Sequence, residues 1–331
     1  MTRPDRVTED RPAGDRAAQD PDELDRDGPM PVPRCSVAAR GRADALAGTA
    51  LPTDRFLLVE DPGPWGPAPH PVGSLPPAVV EHVHEQARVL SARLLLIRRT
   101  GRPPATGDTL PETAPAPRTW ACVDTTRAEV RTGTVGHPDA LATVDFGTDG
   151  QPDDRPWYLV CTQGRHDVCC AVYGRPVVQV LAEAAPDRTW ECTHVGGDRF
   201  AANVLLMPAG LVYGHVDVGS AVGLTTAYAR GRVVPRLLRG RCGSVPAAQV
   251  AEHHARGLLG DDRLDAFAPP LVSHAGHDRW QVDLVHRADG ERLRVLLAER
   301  HDDVAIGLTC AATGTGRLRS WDLLSLERLT P

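Results

Sequence analysis

The sequence predicts an α/β protein built from two similar units in tandem, followed by a small C-terminal module of one helix and an antiparallel sheet. The chain of 331 residues is near the length at which a single hydrophobic core stops growing, which favours more than one core. A strand-length apolar run, a helical stretch and a second strand-length run occur twice in this order. After Gly240, four runs alternate apolar and polar residues, which is typical of an antiparallel sheet.

Residues 1–33 are predicted to form a disordered leader. They contain little except Asp, Glu, Arg, Pro, Gly and Ala, and such a composition cannot bury enough apolar area to offset the entropy lost on ordering. The leader lacks the apolar core of a signal peptide, and no run of about 18 apolar residues occurs elsewhere, so we expect no membrane association. We therefore predict a cytoplasmic protein.

The first unit is predicted over residues 34–150 and the second over 151–240. The predicted elements of the first are a strand at 56–60, a helix at 78–92, and strands at 93–99, 120–124 and 130–135. Those of the second are a strand at 157–162, a helix at about 171–185, strands at 189–195, 202–207 and 212–216, and a helix near 220–229. Each unit has a strand, a loop, a helix, a parallel return strand and a short meander, as in a thioredoxin-like layer. We predict two tandem thioredoxin-like domains.

The C-terminal module is predicted over residues 241–331. Ser244 can cap a helix at 246–259 that has Pro246 in its first turn. Strands are predicted at 280–285, 293–298, 304–310 and 320–326, with a hairpin turn at Asp289-Gly290. No residue of the module indicates catalysis, so we interpret it as a covering or docking module.

The charge composition excludes several classes of function. All 37 basic residues are arginine, so a phosphate-binding loop that needs lysine and Schiff-base chemistry are both excluded. A GC-rich coding bias explains the absence of lysine better than any function does. The net charge is −6 and the arginines are not interleaved with aromatic residues, so we expect no nucleic-acid partner.

The chemistry is concentrated between Val160 and Pro208. Cys161 at the end of a strand and Cys170 at the start of a helix have eight residues between them, so their thiolates can converge where free helix N–H groups lower a thiolate pKa. His194 ends the next strand and precedes Gly196-Gly197, a pair that can adopt positive φ and approach a ligand closely. In a reducing compartment such cysteines are more often ligands or redox thiols than disulfides. The pattern indicates a metal or iron-sulfur site.

Two other functions use the same residues. A binding module stabilised by zinc is one, although the C-x2-C pairs of zinc ribbons are absent. A thiol enzyme with Cys169 or Cys170 as nucleophile is the other, although it lacks C-x-x-C spacing. Cys169 is otherwise interpreted as a small buried residue, because adjacent cysteines cannot easily direct both sulfurs to one site. The remaining cysteines are interpreted as structural: Cys35, Cys122, Cys242 and Cys310.

Six segments resemble the sucrase-ferredoxin-like family: VCTQGRHDVCCAVYG, THVGGDRFAAN, GTA at 48–50, LLVEDPGPWG at 57–66, LLLIRRTGR at 94–102 and YGHV at 213–216. The resemblance covers roughly residues 35–255. It implies a thioredoxin-like ferredoxin domain with a 2Fe-2S cluster held by two cysteines and two histidines. Cys161, Cys170 and His194 match the family's ligands, but Asp198 stands where the family has its second histidine.

The fourth ligand is therefore open between Cys192 and Asp198. Asp198 is correctly placed, but a carboxylate is a harder ligand than iron-sulfur clusters usually take. We favour Cys192, which lies two residues before His194 on the same strand face. Three thiolates would give the oxidised cluster a charge of about −1 and a lower potential than a site with two histidines.

Further residues are expected to surround the cofactor without binding iron. Gly196, Gly197 and Asn203 are expected to form the loop around the cluster, with Asn203 bonded to backbone groups of the glycines. Arg165 and His166 either belong to a solvated loop or steer electrons and protons beside the cluster. The loop at residues 64–66 of the first unit is equivalent in position to the Cys161 loop of the second unit but contains no thiols. The first unit is therefore expected to be degenerate, without a cluster, and the second to be ferredoxin-like.

The expected function is single-electron transfer or redox sensing by a soluble 2Fe-2S protein with an unidentified redox partner protein. A histidine ligand can couple the electron to a proton near neutral pH. The sugar-cleaving activity in the family's name has little support, because a glycosidase needs two carboxylates opposed across a pocket.

Overall fold

The computed structural model describes residues 34–68, 73–101, 116–304, 308–312 and 316–330. The predicted leader, residues 1–33, lies outside the described residues. The described part has a mixed α/β fold, as predicted, with five α-helices and fourteen strands in two sheets. Among these residues, no helix combines the length and the apolar composition that crossing a bilayer requires.

The first half of the larger sheet is a β-α-β-β-β unit. Helix α1 (Cys35–Gly41) precedes strand β1 (Arg55–Glu60), helix α2 (Pro77–Val89) and strands β2 (Arg93–Arg98), β3 (Arg118–Asp124), β4 (Glu129–Val135) and β5 (Gln151–Pro152). Strand β1 pairs in parallel with β2 and antiparallel with β3, which pairs with β4. The local strand order is therefore β2-β1-β3-β4, and the short β5 extends it at the edge.

The second half repeats this order. It comprises strand β6 (Trp157–Cys161), helix α3 (Val168–Ala184), strands β7 (Thr189–Cys192), β8 (Val204–Met207) and β9 (Leu211–Tyr213), helix α4 (Val218–Ala229) and strand β10 (Leu238–Arg241). Strand β6 pairs in parallel with β7 and antiparallel with β8, which pairs with β9. The order β7-β6-β8-β9 is equivalent to that of the first half.

The equivalent strands β2 and β7 pair antiparallel at the middle, which joins both halves into one ten-stranded sheet. We call this junction the seam: it comprises the pairs Ile97–Cys192 and Arg98–Glu191. Alternate residues of each strand face opposite sides, so Phe56 of β1 and Leu159 of β6 share one hydrophobic core that spans both halves. The halves are therefore parts of one packed structure, a feature that the strand-helix-strand pattern does not predict.

The C-terminal module contains a helix and a four-stranded antiparallel sheet, as predicted. Helix α5 (Pro246–Leu259) precedes strands β11 (Leu271–His274), β12 (Arg279–Val285), β13 (Arg292–Val304) and β14 (Gly316–Leu329), which pair in sequence order. Ala251 of α5 packs against Val282 and Leu293 of the sheet.

Two details of this module differ from the prediction. Val245, without a side-chain cap, precedes α5, and the Ser244 carbonyl accepts a hydrogen bond from Gln249. Of the run predicted as a strand at 304–310, Val304 is instead the end of β13 and residues 308–310 lie in the β13–β14 connection, while residues 305–307 lie outside the described residues. Apolar alternation does not reveal where a long hairpin turns, and β11 was missed because its residues are mostly exposed.

Candidate metal centre

Three of the predicted ligands converge at one edge of the second half. Cys161 is the last residue of β6, and His194 lies just after the neighbouring parallel strand β7, so both leave the sheet at the same edge. Cys170 lies in the first turn of α3, which starts from the loop after β6. The Sγ atoms of Cys161 and Cys170 and a ring nitrogen of His194 lie within 4.8 Å of one another.

His166, His194 and Asp198 form a second group whose ligand atoms lie within 4.8 Å of one another. The ring centroids of His166 and His194 are 3.8 Å apart. Asp198 Oδ1 lies 2.9 Å from His194 Nδ1 and accepts from Cys170 Sγ at 3.3 Å. His194 belongs to both groups, so Cys161, Cys170, His166, His194 and Asp198 make one continuous centre.

Cys192 lies outside this centre. It is fully buried at the end of β7, opposite Cys161 in the parallel pairing, and packs in the core shared by both halves. Burial, and then the proximity of Cys161, raise the pKa of the Cys192 thiol well above its ordinary value. Among the described residues, no group of converging ligand atoms includes Cys192. Its assignment as fourth ligand stays a prediction.

The electrostatics of the centre favour a thiolate at Cys161. Contacts with Cys170 and then His194 outweigh burial and lower the pKa of Cys161 to about 5. Burial alone would lower the pKa of His194, but Asp198 and Cys161 raise it to about 9. A thiolate is the form of cysteine that binds metals. Asp198 lies close enough to His194 Nδ1 to fix the orientation of the imidazole ring.

The loop after β7 is held by buried polar contacts. Gly196 and Gly197 have φ values of +81° and +75°, in the region predicted for them. Asn203 Nδ2 donates to the Gly197 carbonyl at 2.9 Å, as predicted. The fully buried Arg239 donates to the Gly196 carbonyl at 2.9 Å and to Asn203 Oδ1 at 2.7 Å. A Cβ atom at Gly197 would lie 2.5 Å from Arg239 Nη2, so the loop fits only glycine there.

The thiol-free loop of the first half contacts the centre directly. Gln163 Nε2 donates to the carbonyls of Gly66 and Ala68, each at 2.8 Å, and its Oε1 accepts from the His194 backbone N–H at 2.7 Å. Gln163 therefore links this loop of the first half to the backbone of His194.

His166 is oriented by the same loop. Its Nδ1 lies 3.0 Å from the Pro67 carbonyl, which can only accept, so Nδ1 carries the proton and Nε2 keeps its lone pair. His166 Nε2 lies 3.7 Å from Asp198 Oδ2, too far for a hydrogen bond. The neighbouring Arg165 is exposed and lines a cavity of about 630 Å³ together with Trp65 and Arg175.

The sequence model of the sucrase/ferredoxin-like family matches residues 46–240, which is more than half of the chain. The chain belongs to the sucrase/ferredoxin-like family. No curated protein and no solved structure matches it. The range matched to the sucrase/ferredoxin-like family begins before β1 and ends within β10, so it contains the whole centre and stops before the C-terminal module.

Sequence reasoning missed two residues of this sucrase/ferredoxin-like centre. Arg239 lies 36 positions after its partner Asn203, and arginine is too frequent in this chain for one to be singled out. Gln163 lies in the loop between Cys161 and Cys170, and this position could have identified it as part of the centre. A polar side chain that is buried in such a loop needs a hydrogen-bonding partner.

Proposed function

We propose that this protein binds one 2Fe-2S cluster and transfers single electrons or senses redox state. The observation that carries the proposal is the convergence of Cys161, Cys170 and His194 at one sheet edge. The residues fit the group: two buried thiols, one with its pKa shifted towards thiolate, converge with an imidazole, and thiolate and imidazole are ligands that 2Fe-2S clusters take. When bound, such a cluster supplies one-electron oxidation and reduction at a potential set by its ligands and surroundings.

His166 is the fourth ligand in this proposal. Its Nε2 lone pair is available because Nδ1 is bonded to the Pro67 carbonyl, and ligand histidines are usually oriented by such a carbonyl. Its ring is beside that of His194, so a histidine from the loop before α3 compensates for Asp198, where the family pattern has its second histidine. Asp198 is then close enough to orient His194. We prefer His166 to Cys192 because the ligand atoms of His166 and His194 converge, whereas no converging group among the described residues includes Cys192.

The choice of ligand has a measurable electrostatic consequence. Two thiolates and two neutral imidazoles leave the oxidised cluster without net charge, whereas a third thiolate would add about −1. Arg93 and Arg239 supply buried positive charge nearby, since Arg93 donates to the His194 carbonyl at 2.9 Å and Arg239 holds the 196–197 loop. We expect a potential within about −150 to +300 mV, the range of sites with two histidine ligands, rather than near −400 mV.

Pulsed electron paramagnetic resonance of the reduced protein tests the ligand set, because it counts the nitrogens coupled to the cluster. We expect two strongly coupled nitrogens in the wild-type protein and one in His166→Ala. The exposed His84 of α2 supplies the control, and His84→Ala is expected to keep both.

Three results would contradict parts of the proposal. Two coupled nitrogens in His166→Ala would remove His166 from the ligand set. A folded Cys192→Ala variant without iron would make Cys192 a ligand. A wild-type protein without iron after expression in iron-replete cells would overturn the cluster itself.

The fold supports a tandem origin for this arrangement. We propose that residues 34–150 and 151–240 are two thioredoxin-like domains, the first degenerate and the second ferredoxin-like. Their equivalent strand orders support this proposal, and so does the loop at 64–68, which faces the centre without supplying a thiol.

The surroundings of His166 suggest how a redox partner would dock. The His166 side chain is 20% exposed, and Arg165 and Arg175 are exposed beside it. We propose that the partner presents an acidic surface here, because charge complementarity steers association. The predicted cytoplasmic location stays a prediction.

A further inference from the structure

A second group of cysteines lies beside the proposed cluster site. The three Sγ atoms of Cys35, Cys169 and Cys310 form a triangle with sides of 3.6, 3.3 and 3.5 Å. Asp167 completes the group, with its carboxylate oxygens 3.7 and 3.8 Å from Cys35 Sγ. Any two of these four ligand atoms lie within 4.8 Å of each other.

The four residues come from three separate parts of the chain. Cys35 begins α1, Asp167 and Cys169 lie at the N-terminus of α3, and Cys310 lies in the connection between β13 and β14. Cys35 and Cys310 are thus brought together with Cys169, which sequence analysis did not predict. Cys170 contacts Asp198 instead, so the two adjacent cysteines of α3 serve different groups, as their adjacency predicted.

The distances match a metal site better than a disulfide. A tetrahedral zinc ion with bonds of about 2.3 Å to sulfur places its sulfur ligands about 3.8 Å apart, and a carboxylate oxygen about 3.6 Å from each sulfur. The sulfur separations here are shorter than that by only a few tenths of an ångström, and the contact from Asp167 to Cys35 is 3.7 Å. A disulfide needs about 2.05 Å and would leave one of three equidistant sulfurs unused.

The surrounding hydrogen bonds suit anionic ligands. Asp167 accepts from the backbone N–H groups of Cys169 at 2.9 Å and Cys310 at 2.7 Å. The backbone N–H groups of Ser36 and Cys35 also favour the thiolate forms of Cys169 and Cys310, respectively. Such bonds orient metal ligands and stabilise their charge.

We propose that Cys35, Cys169, Cys310 and Asp167 bind one zinc ion. Binding displaces the three thiol protons, so one Zn²⁺ enters as three H⁺ leave, and no electron is transferred. With four protein ligands the site is closed, which is typical of structural rather than catalytic zinc. It would tie α1 and the β13–β14 connection to the helix that carries Cys170. The C-terminal module would then stabilise the electron-transfer centre.

Metal analysis of the purified full-length chain tests this site. We expect about one zinc ion per chain in addition to iron. Cys310→Ala, at the most exposed of the three cysteines, is expected to lose the zinc, keep its iron and unfold at a temperature several degrees lower. Cys122→Ala removes a cysteine of β3 that joins no ligand group among the described residues, and is expected to change neither metal.

A second measurement does not depend on the folding of a variant. Replacement of zinc by Co²⁺ in the wild-type chain should give the intense visible bands of tetrahedral cobalt with thiolate ligands, and these bands should be absent from Cys310→Ala.

The proposal is overturned if wild-type protein grown with zinc contains no more zinc than Cys310→Ala. An intact mass about 2 Da below that of the reduced chain, from a disulfide among these cysteines, would also overturn it. Iron and zinc are measured in the same sample, so failure of the cluster proposal is distinguished from failure of this one.

Discussion

Single side chains with unusual conformations or surroundings support the loop of the candidate centre. His215 adopts a left-handed φ of +54°, and its backbone N–H donates to the Phe200 carbonyl at 2.7 Å. Its ring packs edge-on against Phe200, with centroids 5.5 Å apart. Phe200 follows Asp198 in the same short 3-10 turn. His215 therefore stabilises the turn that positions Asp198, although it contacts neither of the proposed ligand histidines directly.

The folding stability of the protein should depend on pH through His215. Burial, and then the positive charge of Arg40, lower the pKa of His215 to about 4. The unfolded chain takes up this proton at about pH 6.5 and the folded chain does not, so stability falls as the pH drops from about 6.5 to 4. His215→Asn keeps a residue type that tolerates the left-handed conformation but does not titrate.

The wild-type protein and His215→Asn should differ only modestly in the stability they lose at low pH, because His215 is partly exposed. Urea unfolding at pH 7.5 and pH 5 should show the wild-type protein losing about 1–2 kcal/mol more than His215→Asn between the two pH values. Equal losses in the two proteins would show that His215 is protonated normally in the folded state.

At the scale of elements, the close approach of helix α3 to strand β6 brings the two thiols together. Gly174 faces the end of β6, and a Cβ atom there would overlap the carbonyl oxygen of Cys161. The missing side chain lets the helix pack against the backbone of the strand. Asp167 caps the helix by accepting from the Cys169 N–H at 2.9 Å. Helix α3 is therefore fixed both at its start and against the strand.

Two glycines in helices should respond oppositely to alanine. Gly174→Ala is expected to lower the free energy of unfolding by about 1–3 kcal/mol, because the overlap separates α3 from β6, and to reduce the iron content. Gly223 of α4 is exposed with open space around its Cα atom, so Gly223→Ala is expected to stabilise by up to about 1 kcal/mol. Urea unfolding and iron analysis of both variants check this, and a stabilising Gly174→Ala would contradict the packing argument.

At the scale of the whole molecule, the seam between β2 and β7 joins two similar halves into one ten-stranded sheet. Arg98 and Glu191 form an ion pair of 2.6 Å across it, with only 22% and 12% of their side chains exposed. Glu191 also accepts from the Thr162 hydroxyl at 2.6 Å, and the Arg98 guanidinium lies over the Trp65 ring at 4.2 Å. The pair thus links both halves beside the loops that surround the candidate centre.

Removing one partner of this ion pair should lower the free energy of unfolding more than removing one partner of an exposed ion pair. Arg98→Ala leaves the Glu191 carboxylate poorly solvated, so we expect a loss of about 1–3 kcal/mol. Arg88 pairs with Glu85 on the surface of α2, with 74% and 53% of the side chains exposed, so Arg88→Ala is expected to leave the free energy of unfolding essentially unchanged. Urea unfolding of both variants measures the contrast, and equal losses would mean that the seam pair contributes no more than a surface pair.

The sequence by itself determined the mixed α/β fold, the bounds of α5 and the convergence of Cys161, Cys170 and His194. These follow from local rules, because hydrophobic periodicity specifies strands and helices, and parallel strands that flank a helix end at the same edge. The positive φ values of Gly196 and Gly197 and the bond from Asn203 were predictable for the same reason.

Only the tertiary structure decided the contacts between distant segments. Cys35 and Cys310 are 134 and 141 positions from Cys169, respectively. Hydrophobic periodicity in the sequence does not predict contacts across such separations. The seam depends on two strand edges meeting, and the orientation of His166 depends on a carbonyl from the other half. Local patterns specify elements because they act over one or two turns of chain. Long-range packing decides which elements meet. Here it brings the side chains of both candidate ligand groups together at the N-terminal end of α3.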